Sequence, residues 1–157
     1  MFLINLRAVV IARRWACRAF CLMTTHYHLL LSTKDEDLSD GMQRLNGCYA
    51  QWFNARHTRS GHLFEGRYRS VLVESQAHLL ESYRYIALNP VSAGLCREPE
   101  DWLWSSYRIA VVEPLGPFAL SDLVLDEFGR GAGAREKLRG FVRDGRAVEG
   151  HDPGQTP

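Results

Sequence analysis

No stretch of this chain approaches the roughly 20 consecutive apolar residues that a membrane-spanning helix needs. The apolar start, Met1 to Ile11, is interrupted by Arg7, followed by Arg13 and Arg14, and has no small-residue cleavage site after it. It reads as a packed helix, so neither a membrane partner nor a secretory address is expected. No CxxC pair occurs. Cys17, Cys21, Cys48 and Cys96 stand in apolar or helical contexts, as reduced core thiols do, and the expected compartment is the cytoplasm. Net charge is also lacking, at +1, which would exclude an overall basic field; position along the chain matters more than that sum.

What is present is local. Between Arg44 and Arg69 the arginines Arg44, Arg56, Arg59, Arg67 and Arg69 are accompanied by one carboxylate, Glu65, with His57 and His62 among them. Such a stretch can hold a phosphate backbone, although for any single arginine an ordinary solvated surface explains the sequence as well. Acidic residues gather elsewhere, at Asp35 to Asp40, Glu98 to Asp101 and Asp122 to Glu127. With 46% hydrophobic residues in 157, the chain can bury one core, and one domain with a tail is the default.

Helical spacing of Phe2, Leu3, Leu6, Val9 and Val10 predicts an amphipathic helix from Phe2 to about Arg14. Two apolar runs, Cys17 to Met23 and His26 to Ser32, flank Thr24 and Thr25 and predict a tight antiparallel hairpin. Ser39 or Asp40 can cap a helix that runs through Met42, Leu45, Tyr49, Trp52 and Phe53 to about Arg56 and packs across the sheet. The polar segment His57 to Arg69 interleaves arginine with Phe64 and Tyr68, a composition suited to stacking on bases and pairing with phosphates; a plain surface loop is the other reading. Ser70 to Glu74 is β-branched and predicts a strand. Ser75 then caps a helix through Leu79, Leu80, Tyr83 and Ile86 to Leu88, ended by Pro90 and Gly94. Trp102, Trp104 and Tyr107 are expected in structural packing. Pro114 and Pro117 mark a linker to two small helices, near Ser121 to Phe128 and Ala134 to Arg143, and Gly150 to Pro157 reads as a frayed tail.

Two features carry chemistry. In Met23-Thr-Thr-His-Tyr-His-Leu-Leu-Leu31, strand alternation points His26 and His28 to one face, where they can share a cation, and Tyr27 to the other. Alone, the pair is more readily two half-buried histidines. In Tyr85-Ile-Ala-Leu-Asn89-Pro90, helical spacing puts Tyr85 and Asn89 on one face, while Tyr83 points elsewhere. Asparagine before proline also simply ends helices.

With Gly61-His-Leu-Phe-Glu-Gly-Arg-Tyr68, Tyr85-Ile-Ala-Leu-Asn-Pro-Val-Ser-Ala-Gly94 and Asp101-Trp-Leu-Trp-Ser-Ser-Tyr107, these blocks make the stretch from Trp15 to Ile109 resemble the REP-associated tyrosine transposases. These are a branch of the single-tyrosine HUH transposases, named for histidine, hydrophobic residue, histidine. The resemblance implies an α+β fold, a ferredoxin-like antiparallel sheet with packed helices, followed by C-terminal helices. It implies DNA cleavage and strand transfer at hairpins in single-stranded DNA, with Tyr85 as nucleophile and a 5′-phosphotyrosine intermediate. His26, His28 and Asn89 would hold a divalent cation, Mg²⁺ or Mn²⁺. Arg44, Arg56, Arg59, His62, Phe64, Arg67, Tyr68 and Arg69 would contact DNA. A homodimer stays open, since related enzymes work as dimers or monomers.

Two departures accompany it. Thr24 and Thr25 stand where the family usually has proline and asparagine, and the chain starts inside the family's first helix, so a first strand is expected to be missing. The expected division is a main domain over 1–112, a helical extension over 113–149 and a tail over 150–157. The rival reading is a catalytically inactive or domesticated DNA-binding remnant. A hydrolytic zinc protein is a third class, weakened because the histidine pair lacks further nitrogen or sulfur ligands at usual spacings.

Overall fold

The computed structural model describes residues 1–33, 37–112, 126–129 and 132–145. In chain order the elements are α1 (Phe2–Arg13), β1 (Ala16–Leu22), β2 (Tyr27–Ser32), α2 (Leu38–Arg56), α3 (Gln76–Ser92), a 3₁₀ turn (Pro99–Asp101), α4 (Ser106–Val111), a second 3₁₀ turn (Asp126–Phe128) and α5 (Ala132–Asp144). The class is α+β. Its sheet among the described residues has two strands, β1 and β2, closed at the turn by the Met23 N–H on the His26 carbonyl at 2.9 Å.

The chain forms two compact units, one of residues 1–16 and 32–70, the other of 17–31 and the described residues from 71 onward. In the first, Phe2, Leu6, Val9 and Val10 of α1 are buried, as are Met42 and Leu45 of α2, and the two helices pack on each other. Arg14 ends α1 in the left-handed region at φ 53°, and the Trp15 N–H returns to the Val10 carbonyl. This brings the indole of Trp15 against Gly41, where a Cβ would collide with the ring. Trp15 Nε1 donates to Asp37 Oδ1 at 2.8 Å, and Arg13 Nη1 pairs with Asp37 Oδ2 at 3.3 Å. Asp37, not Ser39 or Asp40, is therefore the residue that opens α2; its carboxylate is committed to these partners and caps no helix N–H by side chain. The packing seen for this helix is on α1.

In the second unit, Ala19, Cys21, Leu30, Tyr83, Ile86, Ala87, Tyr107, Ala110, Val111, Leu138 and Val142 form one buried cluster from the hairpin, α3, α4 and α5. Along β1 the open side is partly covered by the segment before α4. Cys21 bridges Ser105, the Leu22 N–H donates to the Trp104 carbonyl, and Ser106 Oγ both accepts from the Phe20 N–H and donates to the Phe20 carbonyl. Trp102 Nε1 donates to the Leu22 carbonyl. Thus Trp102 and the buried Tyr107 are structural, while Trp104 is 54% exposed.

Several expectations change. Ser70 to Glu74 is no strand: no described strand lies alongside to pair with it, and Val71 and Leu72 are exposed. Ser75 does cap α3, accepting the His78 N–H, but Pro90 lies inside the helix. A proline there removes a single backbone bond near the end, and the last carbonyls are still used, Pro90 by the Leu95 N–H and Val91 by Gly94, which sits at φ 69°. Cys48 is exposed, not core. The helix expected near Ser121 to Phe128 is a 3₁₀ turn at its end, and 113–125, with the linker prolines, lies outside the described residues, as does 146–157.

Candidate functional site

The site belongs to the second unit and is assembled from the hairpin and α3. His26 stands just before β2 and His28 is its second residue, so alternation turns both imidazoles to one side. Their Nε2 atoms approach to 3.1 Å, with rings nearly perpendicular and centroids 4.9 Å apart. The His28 ring meets the edge of Tyr85 at 5.4 Å between centroids and 86° between planes. Tyr85 comes from the middle of α3, half-buried against the hydrophobic cluster. Asn89 follows one turn later on the same face; it too is half-buried, and its side-chain amide makes no hydrogen bond among the described residues. Tyr83, two residues before Tyr85, is instead 2% exposed in the core.

Imidazole nitrogens are borderline donors that suit Mn²⁺ better than Mg²⁺, and two of them alone complete no shell for a hard ion. Two nitrogens at about 2.1 Å from one octahedral ion stand about 3 Å apart when adjacent, close to the separation found here. Binding needs both Nε2 lone pairs, hence a proton on each Nδ1. Thr25 Oγ1 lies 3.2 Å from His26 Nδ1, where it can accept that proton's hydrogen bond. Among the described residues no three or more His, Cys, Asp or Glu cluster. Further coordination would therefore fall to Asn89 and to substrate oxygens.

The residues expected to contact DNA lie in the first unit, on α2 and the irregular segment after it. Arg44, Arg56, Arg59, His62, Arg67 and Arg69 are exposed, while Phe64 and Tyr68 are half-buried. The segment is held to α2 by the Arg59 N–H on the Asn54 carbonyl and by Asn54 Nδ2 on the Gly61 carbonyl, both at 2.9 Å. Phe64 packs at 6.3 Å from the Tyr49 ring, which is itself stacked on Trp52. Sequence reasoning passed over the ring pair Phe53 and His57, 4.3 Å apart between centroids. Their four-residue spacing across the end of α2 was the available signal.

A hairpin carrying two convergent imidazoles, faced by a tyrosine on a packed helix, defines an α+β protein with a polar histidine–tyrosine site. The chain also matches the family described as Transposase IS200 like over residues 6–89, just over half its length, and it belongs to that family. The matched span includes both histidines, Tyr85 and Asn89. Membership makes this a transposase-family protein, an enzyme class that acts on DNA. No curated protein and no solved structure matches the chain. Among the described residues no helix is long and apolar enough to cross a membrane.

Proposed function

We propose that the protein cleaves and rejoins single-stranded DNA beside hairpins, as a REP-associated branch of the family would, with Tyr85 as the nucleophile. The observation that supports this most is the edge contact of Tyr85 with His28, whose Nε2 converges on that of His26. The Tyr85 oxygen attacks phosphorus and loses its proton, the bond from phosphorus to the 3′ oxygen breaks, and that oxygen leaves as a hydroxyl. The 5′ end stays on the protein as a phosphotyrosine ester. Attack by another 3′-hydroxyl reverses the step and joins new strands without outside energy.

A phenol of ordinary pKa, about 10, is a weak nucleophile at neutral pH. A divalent cation, Mg²⁺ or Mn²⁺, held by His26, His28 and Asn89, would polarise the scissile phosphate. The protein's own part is positioning. α3 presents Tyr85 and the hairpin presents both imidazoles, each anchored in the same buried cluster. We further read the hairpin as part of a ferredoxin-like sheet, working in the cytoplasm as a monomer or homodimer.

The test is a covalent adduct with a labelled single-stranded hairpin in Mn²⁺. Tyr85→Phe should abolish the adduct while leaving binding intact, and His26→Ala with His28→Ala should remove its metal dependence. An undiminished adduct from Tyr85→Phe would exclude this nucleophile. Hairpin binding without any adduct from the unaltered chain would favour the inactive remnant, a reading consistent with a sheet of only two described strands.

A further inference from the structure

We infer that the tilted Phe53–His57 ring pair at the end of α2 is a seat for one unpaired base of single-stranded DNA, with Arg56 and Arg59 beside it for the flanking phosphates. The inference rests on the DNA reading above but names residues outside its catalytic group. The His57 N–H donates to the Phe53 carbonyl at 3.0 Å, which continues the helical register and brings the imidazole against the Phe53 ring, tilted 35° to it. The residue is exposed and makes no other ring contact among the described residues, so the imidazole is open to a partner.

The surroundings are cationic and pinned. The Arg59 guanidinium lies 6.0 Å from the Phe53 centroid. Thr58, at φ 50°, turns the chain, and the two bonds through Asn54 hold Arg59 and Gly61 against α2. Arg56 and Arg59 are exposed and have no carboxylate partner among the described residues. An exposed flat ring, flanked by unneutralised guanidinium groups, matches a partner that offers a π surface and an anion one bond-chain apart. An unstacked nucleotide is that partner, whereas a duplex keeps its bases stacked. Phe64, the more obvious aromatic, is engaged with Tyr49 and leaves this role to His57.

The test uses the full chain in chelator, so that no strand is cut, with fluorescence anisotropy on a labelled single-stranded oligonucleotide and on its duplex. His57→Ala should weaken single-strand binding by about 5- to 160-fold, the range for losing one base stack. Duplex binding should not change. His57→Phe should restore affinity. Unchanged single-strand binding by His57→Ala, or an equal loss on the duplex, would overturn the seat, and melting curves of both variants establish that they fold. The adduct assay separates the two readings. A Tyr85 adduct with no effect of His57 removes the seat alone, and His57-dependent binding with no adduct removes strand transfer while the seat stands.

Discussion

Tyr83 and Tyr85 are two residues apart on α3, about 200° around the helix axis, and their surroundings differ accordingly. Tyr85 meets His28 at the surface of the cluster, while the Tyr83 hydroxyl is buried and has no hydrogen-bond partner among the described residues. Burial, with the neighbouring Tyr107, raises the Tyr83 pKa far above that of a free phenol. An unsatisfied buried hydroxyl costs about 1–3 kcal/mol, so Tyr83→Phe should raise the urea midpoint, by about 1 kcal/mol of stability, with the Tyr85 adduct unaffected. A lowered midpoint would mean the hydroxyl has a partner after all. The thiols of β1 are buried as well. Burial pushes Cys17 from 9.0 up to about 12; for Cys21 burial and then Cys96 push it to about 12 against a lowering by Ser105. Both folded values exceed the unfolded one, so their contribution is complete below pH 9 and is lost as the pH rises towards 12, at about 1.4 kcal/mol per unit for each thiol. Alkaline unfolding curves should show this slope, and Cys17→Ala should flatten it; a stability independent of pH across that window would refute the assignment.

At the scale of elements, α2 contains two glycines whose replacement should have opposite signs. A methyl at Gly41 meets the indole of Trp15, while at Gly47 nothing lies within 4 Å. Gly41→Ala should therefore cost about 1–3 kcal/mol by overpacking, and Gly47→Ala should stabilise by about 0.5–1 kcal/mol through the restricted backbone of the unfolded chain. Denaturant titration of the two variants checks both, and a shared sign would show that the Trp15 contact is not formed. This contact also marks where reading the sequence stops. Periodicity located α1, the hairpin and α2, and a cap located the Ser75 start of α3, because each depends on neighbours in the chain. Strand alternation likewise brought His26 and His28 to one side, and helical spacing separated Tyr85 from Tyr83. What the sequence hid depends on distant partners or on one particular turn. Ser70 to Glu74 has strand propensity but no described strand to pair with, Asp37 opens α2 because Trp15 and Arg13 bind it, and the Phe53–His57 ring pair needs the particular turn after α2.

For the molecule as a whole, a net charge of +1 conceals two populations of arginine. Arg13 pairs with Asp37 at 3.3 Å, Arg84 with Glu81 at 2.9 Å and Arg139 with Glu136 at 3.6 Å. Arg44, Arg56, Arg59, Arg67 and Arg69 have no carboxylate partner among the described residues, and all five belong to the first unit. Exposed pairs such as Arg84 with Glu81 add little stability, but they cancel field, so the unpaired set governs what the surface attracts at short range despite the near-neutral total. Each phosphate neutralised on a single strand contributes about −0.7 to the slope of log affinity against log salt concentration. If all five arginines engage, single-strand binding in chelator should show a slope near −3.5. Arg67→Gln with Arg69→Gln should reduce its size by about 1.4 and weaken binding alike for every sequence tested. A slope near zero would mean that binding follows the net charge and that these guanidinium groups are only solvated surface. A steep slope unmoved by the pair would place the phosphate contacts on other cations.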